Sequence, residues 1–125
     1  MACRISFKKG IPLNKNQLIY LGSPYTHKLK KVMKERYEKA LYVTANLLNQ
    51  GYHVISPIVH CHPLSVKFKM LPDFEFWKRY NFAILSKCEL LLVLQIDGWL
   101  ESKGLQGEIE YAKRNNILIE THIGF

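Results

Sequence analysis

The chain has 125 residues, 48% of them hydrophobic and 22% charged, which is a globular composition and excludes a disordered chain. Eighteen basic residues against ten acidic ones give a net charge of +8, which favours anionic ligands. The longest uninterrupted apolar run, Leu90–Leu94, is far too short for a membrane helix. We therefore expect one domain over residues 1–125, not associated with a membrane, with residues 1–16 as an N-terminal extension.

The cysteines and the N-terminal segment indicate the compartment. Cys3, Cys61 and Cys88 are far apart and odd in number, which is typical of free thiols in a reducing environment. The first residues also lack the apolar stretch of a secretory signal. We expect a cytoplasmic protein.

The first half of the chain predicts two strands separated by a helix. Gln17–Leu21 is a short apolar strand that ends at Gly22-Ser23-Pro24. Apolar residues at three-and-four spacing then predict a helix of about twenty residues, which Gly51 closes. Tyr52–Ser56 is the second strand, ended by Pro57, and a loop rich in His and Pro is expected to follow.

The second half continues the same alternation. Asp73 predicts an N-cap for a helix over residues 74–88. Leu90–Gln95 is continuously apolar, as in a strand buried on both faces of a parallel sheet. A helix near residues 104–114 and a last strand, Ile117–Glu120, complete the pattern.

Strands that alternate with helices predict an α/β fold, a Rossmann- or flavodoxin-like three-layer sandwich around a mostly parallel sheet. Ligands of such folds bind beyond the carboxyl ends of the strands. We therefore expect the site among four segments, namely Gly22–His27, Pro57–Pro63, Ile96–Lys103 and the residues after Glu120.

A cluster of six basic residues precedes and enters the first predicted helix: Lys28, Lys30, Lys31, Lys34, Arg36 and Lys39. Glu35 and Glu38 are interspersed, so a solvated helix face explains the run. The aromatic residues are not interleaved with these bases as a stacking platform would require. This argues against nucleic acid as the partner.

Helical-wheel positions distinguish two neighbouring acids in the helix over residues 104–114. Its core-facing side is defined by Leu105, Ile109 and Ala112. Glu108 lies about 60° from that direction and Glu110 nearly opposite it. Glu110 is therefore predicted to be an ordinary surface acid. Glu108 is pressed against the core edge, where it is either a satisfied structural carboxylate or a functional one.

Two other polar side chains are predicted to point inward. Asn81 lies within the apolar stripe of the helix over residues 74–88, so it either caps a backbone group or faces a pocket. Tyr20, near the end of the first strand, either packs in the core or reaches over the sheet edge with its hydroxyl.

Two loop motifs remain open on spacing alone. Ser102-x-Gly104 before a helix start supplies a hydroxyl and free N–H groups suited to phosphate, although both residues are also common at helix caps. His60-Cys61-His62 lacks third and fourth metal ligands at a convincing spacing, so we expect it at the rim of a pocket rather than at a metal.

Together these segments resemble the nucleoside 2-deoxyribosyltransferase superfamily, near the deoxynucleoside 5′-monophosphate N-glycosidases and their small bacterial and phage relatives. The resemblance runs from about residue 17 to residue 120. Its motifs are Tyr20–Tyr25, Ser56-Pro57-Ile58 and, most specifically, Ser102-x-Gly104-x-x-x-Glu108-Ile109-x-Tyr111-Ala112.

The resemblance implies a sheet of about five strands, a homodimer, and cleavage of the bond between base and sugar in a nucleoside monophosphate. Glu108 would be the nucleophile, and Tyr20 would hydrogen-bond it. Asn81 falls where the family has a second acid, and an amide cannot donate a proton as a general acid. A module that binds a nucleotide without turnover is therefore the alternative.

The resemblance and the loop positions also give the substrate contacts. Ser102 would contact the 5′-phosphate. The full set of expected substrate-binding residues is Gly22, Ser23, Pro24, His60, Trp77, Ser102 and Gly104. No metal and no cofactor is expected.

Overall fold

Four parallel strands alternate with helices in residues 14–123, the part of the chain that this computed structural model describes. The elements are β1 (Leu18–Gly22), α1 (Lys30–Asn49), β2 (His53–Ile55), α2 (Pro57–Phe68), α3 (Phe74–Leu85), β3 (Leu90–Gln95), α4 (Lys103–Arg114) and β4 (Leu118–Ile123). The α/β class and the parallel sheet predicted from the sequence are confirmed, and the arrangement is consistent with a Rossmann-like fold.

The strand order is β2-β1-β3-β4, and every neighbouring pair is parallel. From β1 the chain first moves outward to β2 and then returns across the sheet to β3. The order therefore reverses between β1 and β3, where Gly22 lies beside Val93. A reversal of this kind opens a crevice at the carboxyl ends of the two strands, because their connections leave on opposite sides.

The buried side chains form a layer on each face of the sheet, because successive residues of a strand point to opposite sides. One layer comprises Ile19, Leu21, Val43, Leu47, Leu90, Leu92, Leu94 and Ile96. The other comprises Tyr20, Leu85, Cys88, Leu91, Val93, Leu105 and Ala112. The first layer packs against α1, and the second packs against α3 and α4.

The sheet has four strands within residues 14–123, so the expected count of about five was wrong for this part of the chain. The figure of five came from the resemblance. The sequence itself offers only four apolar strand segments over that range, and the structure contains those four. Most of the expected N-terminal extension, residues 1–16, lies outside the described residues.

The predicted His- and Pro-rich loop is in fact a helix, α2. Ser56 is its N-cap, and the Ser56 Oγ accepts a hydrogen bond from the Val59 N–H at 3.3 Å. Pro57 occupies the first helical position, where its missing N–H costs nothing because that group would have no partner in the helix. Pro57 therefore begins a helix as well as ending a strand.

The remaining boundaries differ from the predicted ones by a few residues. The third helix ends at Leu85 rather than at residue 88, and the last strand starts at Leu118 and continues to Ile123. Within residues 14–123, none of the helices combines the length and the apolar character that crossing a bilayer requires.

The buried layer beneath α1 predicts a large stability difference between two leucines of the sheet. Leu92 is completely buried, whereas Leu118 is 48% exposed at the start of the edge strand. Leu92→Ala should lower the free energy of unfolding by about 3 kcal/mol, because it removes buried apolar surface and leaves a cavity. Leu118→Ala should lower it by less than about 1 kcal/mol. Urea unfolding of both variants tests this, and equal losses would contradict the assignment of the layer.

Candidate active site

A cleft with a volume of about 440 Å³, including its open mouth, lies at the carboxyl edge of the sheet. The β1–α1 connection and the first turns of α2, α3 and α4 surround it. Its lining residues are Ser23, Tyr25, Thr26, Pro57, Ile58, Cys61, Pro72, Asp73, Phe74, Trp77, Asn81, Ser102, Gly104, Leu105 and Glu108. The cleft therefore lies where the reversal of strand order predicts a ligand site.

Three helices begin at or beside the cleft, each with a capped N-terminus. The caps of α2, α3 and α4 are Ser56, Asp73 and Ser102, and each side chain accepts a hydrogen bond from the backbone N–H of the third residue of its helix. A single cap satisfies only one of the free N–H groups of a first turn, and the helix dipole adds partial positive charge there. The edge of the cleft is therefore suited to an anionic group.

Glu108 is the buried carboxylate of this cleft. Its side chain lies on the inner side of α4 with 4% exposure. Tyr20, fully buried on β1, donates its phenolic O–H to Glu108 Oε2. The predicted contrast on this helix is confirmed, since Glu110 is exposed and pairs with Arg114 at 3.2 Å.

Burial controls the protonation of this pair. Desolvation raises the pKa of Glu108 to about 8, and the hydrogen bond from Tyr20 lowers it only in part. Burial, and secondarily the charge of Glu108, raises the pKa of Tyr20 well above its ordinary value. Tyr20 therefore stays protonated at neutral pH and can act as a permanent donor to the carboxylate.

Gly22 lets β1 pack closely against α4 beside Glu108. A Cβ added at Gly22 would lie 2.9 Å from Leu105 Cδ1 and 3.4 Å from Glu108 Oε1. A side chain at this position would have to displace Leu105 on the first turn of α4, whereas its Cβ would lie at an ordinary van der Waals distance from the Glu108 carboxylate. Gly22 and Pro24 do not themselves line the cleft, whereas Ser23 does.

Two buried polar atoms, one on Asn81 and one on Ser23, lie at the cleft. Asn81 is 7% exposed and Ser23 is 4% exposed. Asn81 Oδ1 and Ser23 Oγ are buried with no hydrogen-bond partner among the described residues. Buried polar groups are normally satisfied, so these two atoms are candidates for contacts with a bound molecule. The alternative was that Asn81 caps a backbone group, but Asn81 Oδ1 accepts no hydrogen bond from a described residue.

Aromatic residues of α3 form one wall. Trp77 donates its Nε1–H to the Leu71 carbonyl at 2.8 Å, which fixes the indole ring. Phe74 packs so closely on α4 that a Cβ at Gly104 would lie 3.2 Å from its ring. Gly104 therefore lets α3 and α4 approach each other at the cleft.

The triplet His60-Cys61-His62 diverges, because consecutive helical residues point about 100° apart. His60 is exposed and stacks on Tyr80 with ring centroids 5.5 Å apart, whereas Cys61 lines the cleft. His62 bonds to the Tyr25 hydroxyl. His60 is expected from the sequence to be among the substrate-binding residues, but the helical geometry of α2 places it outside this cleft.

The expected site segment Pro57–Pro63 contains two further cleft residues that the sequence analysis did not single out, because it read α2 as a loop. Ile58 and Cys61 lie on the side of α2 that faces the cleft. The signal was present in Ser56-Pro57, an N-cap followed by a proline at the first helical position. Desolvation raises the pKa of Cys61 to about 12, so its thiol is not a nucleophile at neutral pH.

Arg36 belongs to the scaffold of the site rather than to a solvated face. Its guanidinium donates to the carbonyl oxygens of Tyr25 and Thr26, at 3.4 and 3.1 Å. It also covers Gly98, where an added Cβ would lie 2.2 Å from Arg36 Nη2. Gly98 has a φ of +91°, which other residues rarely adopt. Arg36 thus ties two loops of the carboxyl edge together.

Comparison with known proteins identifies the family of this chain, and the function of that family is unknown. Residues 17–121 match the family described as a domain of unknown function, DUF1937. The match covers most of the chain, which therefore belongs to this family. A comparison with curated proteins gives no match.

The buried carboxylate predicts a characteristic pH dependence of stability. Because folding raises the Glu108 pKa from 4.5 to about 8, its neutral form stabilises the fold below pH 4.5, and this contribution is lost as the pH rises to 8. Between pH 5 and pH 8 the wild type should lose roughly 3 kcal/mol relative to Glu108→Gln, which cannot ionise.

Urea unfolding at both pH values, with Glu110→Gln as the matched control, measures this difference. The control should follow the wild type, since Glu110 is exposed. A wild type that loses no more stability than Glu108→Gln would show that the carboxyl is not held neutral.

Proposed function

We propose that this DUF1937 chain is an N-glycosidase that cleaves the bond between base and sugar in a nucleoside 5′-monophosphate. The observation that carries the proposal is the buried Glu108, held by the Tyr20 hydroxyl in a cleft bordered by helix N-termini. The resemblance to the nucleoside 2-deoxyribosyltransferase superfamily assigns the same two residues to the nucleophile and its partner. Geometry and resemblance therefore point to one carboxylate.

In the proposed reaction, the ionised Glu108 attacks C1′ of the sugar. The glycosidic C–N bond breaks, and its electron pair leaves with the base, which takes a proton from water. Water then cleaves the glycosyl ester, which yields the sugar phosphate and restores the carboxylate. Attack by a second base in place of water would give transfer instead of hydrolysis.

The proposed phosphate position is the first turn of α4. Ser102 and Gly104 line the cleft there, and Ser23 lines it from the β1–α1 connection, with a hydroxyl that has no hydrogen-bond partner among residues 14–123. Backbone N–H groups and hydroxyls at a helix start are common phosphate ligands. The net charge of +8 also favours an anionic substrate.

A nucleotide-binding module without turnover is the second candidate, and Asn81 favours it. In glycosidases a second carboxylic acid normally protonates the leaving group. Asn81 can accept or donate hydrogen bonds to a base but cannot supply that proton. The homodimer implied by the resemblance stays a prediction for either candidate, and light scattering after size exclusion would measure it.

Base release from a panel of nucleotides tests the proposal. The purified protein is incubated with the common ribo- and deoxyribonucleoside monophosphates, and free base is measured by chromatography. We expect release from at least one nucleotide, loss of that release in Glu108→Gln, and full activity in Glu110→Gln.

If no nucleotide is cleaved but one of them raises the melting temperature, the binding module is correct. Equal release by wild type and Glu108→Gln would exclude Glu108 as the nucleophile.

The Tyr20 hydrogen bond predicts the direction of a shift in the pH profile. The nucleophile must be ionised, so kcat/KM should rise with pH up to about 8, the pKa of Glu108. Tyr20→Phe removes the donor that lowers this pKa, so the rise should move to higher pH. A profile measured between pH 5 and pH 10 tests this, and a shift to lower pH would contradict the assigned role of Tyr20.

A further inference from the structure

A second cavity adjoins the proposed active-site cleft, with a volume of about 1220 Å³ including its open mouth. It lies between α1, α2 and the segment that follows α2. Its lining residues are Tyr25, Lys30, Met33, Lys34, His62, Ser65, Val66, Lys69, Met70 and Pro72. Tyr25 and Pro72 line both the cleft and this cavity. A ligand bound in one could therefore extend past these two residues into the other.

The charged side chains that line the second cavity are all basic. Lys30, Lys34 and Lys69 line it, and none of its lining residues is acidic. Lys30 and Lys34 are one turn apart on α1, a spacing at which like charges repel. Lys69 ends α2 in a left-handed conformation, with a φ of 54°. An anion between these ammonium groups would relieve the repulsion and bind to several of them at once.

The inner part of the cavity offers hydrogen-bonding groups. Ser65 is 8% exposed, and its Oγ is buried without a hydrogen-bond partner among the described residues. Burial and, after it, the charge of Lys34 lower the pKa of His62, and the smaller effect of the Glu38 charge opposes them. His62 is thus neutral at pH 7, and its Nδ1 can accept from the Tyr25 hydroxyl at 2.7 Å.

The Tyr25–His62 bond also stabilises the boundary between the two cavities. The His62 ring stacks on Tyr37 of α1 with ring centroids 4.2 Å apart. Tyr25 is held in addition through its carbonyl, which accepts from Arg36. The boundary is therefore pre-organised, which lowers the entropy cost of binding a ligand across it.

We propose that the second cavity binds a phosphate group beyond the one at the α4 N-terminus, so that the ligand is a nucleotide with at least two phosphates. The inference rests on the proposed function, which places the nucleoside monophosphate portion in the cleft. Lysine ammonium groups match the compact, highly charged oxygens of a phosphate. The apolar side chains of Met33, Val66 and Met70 then border the space for a group esterified to the distal phosphate.

Inorganic pyrophosphate is the probe for this cavity, because its binding does not depend on the identity of the base. Its affinity is measured by calorimetry for the wild type, for Lys34→Ala/Lys69→Ala and for Lys31→Ala/Lys67→Ala. The second pair is the matched control, since both of its lysines are exposed and lie outside the cavity, and the two substitutions remove the same charge as the first pair.

We expect the first pair to weaken pyrophosphate binding roughly tenfold or more, as for the loss of charged hydrogen bonds, and the control pair to leave it nearly unchanged. Equal weakening in the two pairs, or no measurable binding to the wild type, would overturn the proposal. Citrate serves as a carboxylate of similar charge, and citrate binding as tight as that of pyrophosphate would overturn the assignment to phosphate.

Nucleotide measurements separate this inference from the proposed function. If pyrophosphate binding depends on Lys34 and Lys69 while no nucleotide releases its base, the phosphate site in the second cavity is supported and the glycosidase proposal is wrong. The opposite outcome is release of base with a kcat/KM that is equal for nucleoside mono- and diphosphates and unchanged by Lys34→Ala/Lys69→Ala. That result would support the glycosidase proposal and overturn the proposal that the second cavity binds a further phosphate of the substrate.

Discussion

The hydrogen bond between Tyr20 and Glu108 is the interaction on which the site depends. A carboxyl group with 4% exposure is costly to ionise, because burial removes the water that would stabilise its charge. The phenolic O–H of Tyr20 donates a hydrogen bond to Glu108 and partly replaces that water. The bond joins β1 to α4 across 88 residues of chain. It therefore fixes β1, α4 and the Glu108 carboxyl group relative to one another.

The topology explains why a carboxylate can be held in this position. Strand order reverses between β1 and β3, so the connections on either side separate and leave the carboxyl ends of the strands open. α4 then begins beside β1, and Gly22 lets Leu105 of α4 pack closely against that strand. A fold that fully covered this edge would bury the carboxylate with no access for a ligand. The same edge brings helix N-termini to the cleft, which offsets the charge of an anionic ligand.

The sequence predicted those parts of the site that depend on local periodicity. The burial of Glu108 and the exposure of Glu110 follow from the angular positions of neighbours on one helix. The pairing of Tyr20 with Glu108 was available only through the resemblance, because no spacing rule links residues 88 positions apart. The Tyr25–His62 bond was not found for the same reason, and because α2 was read as a loop.

Asn81 sets the limit on the chemistry that this cleft can perform. A second carboxylic acid would supply the proton for the departing base, and the amide of Asn81 supplies only hydrogen bonds. Any base cleaved here must therefore leave as an anion stabilised by those bonds, or take its proton from water. That requirement favours bases whose anions are stable. Asn81, the residue that favours a binding module, would therefore also narrow the substrate range if the protein is an enzyme. Burial raises the pKa of Glu108 to about 8, so the group is neutral over much of the physiological range. With Glu108 as the nucleophile, turnover would be restricted further to the fraction of molecules in which it is ionised.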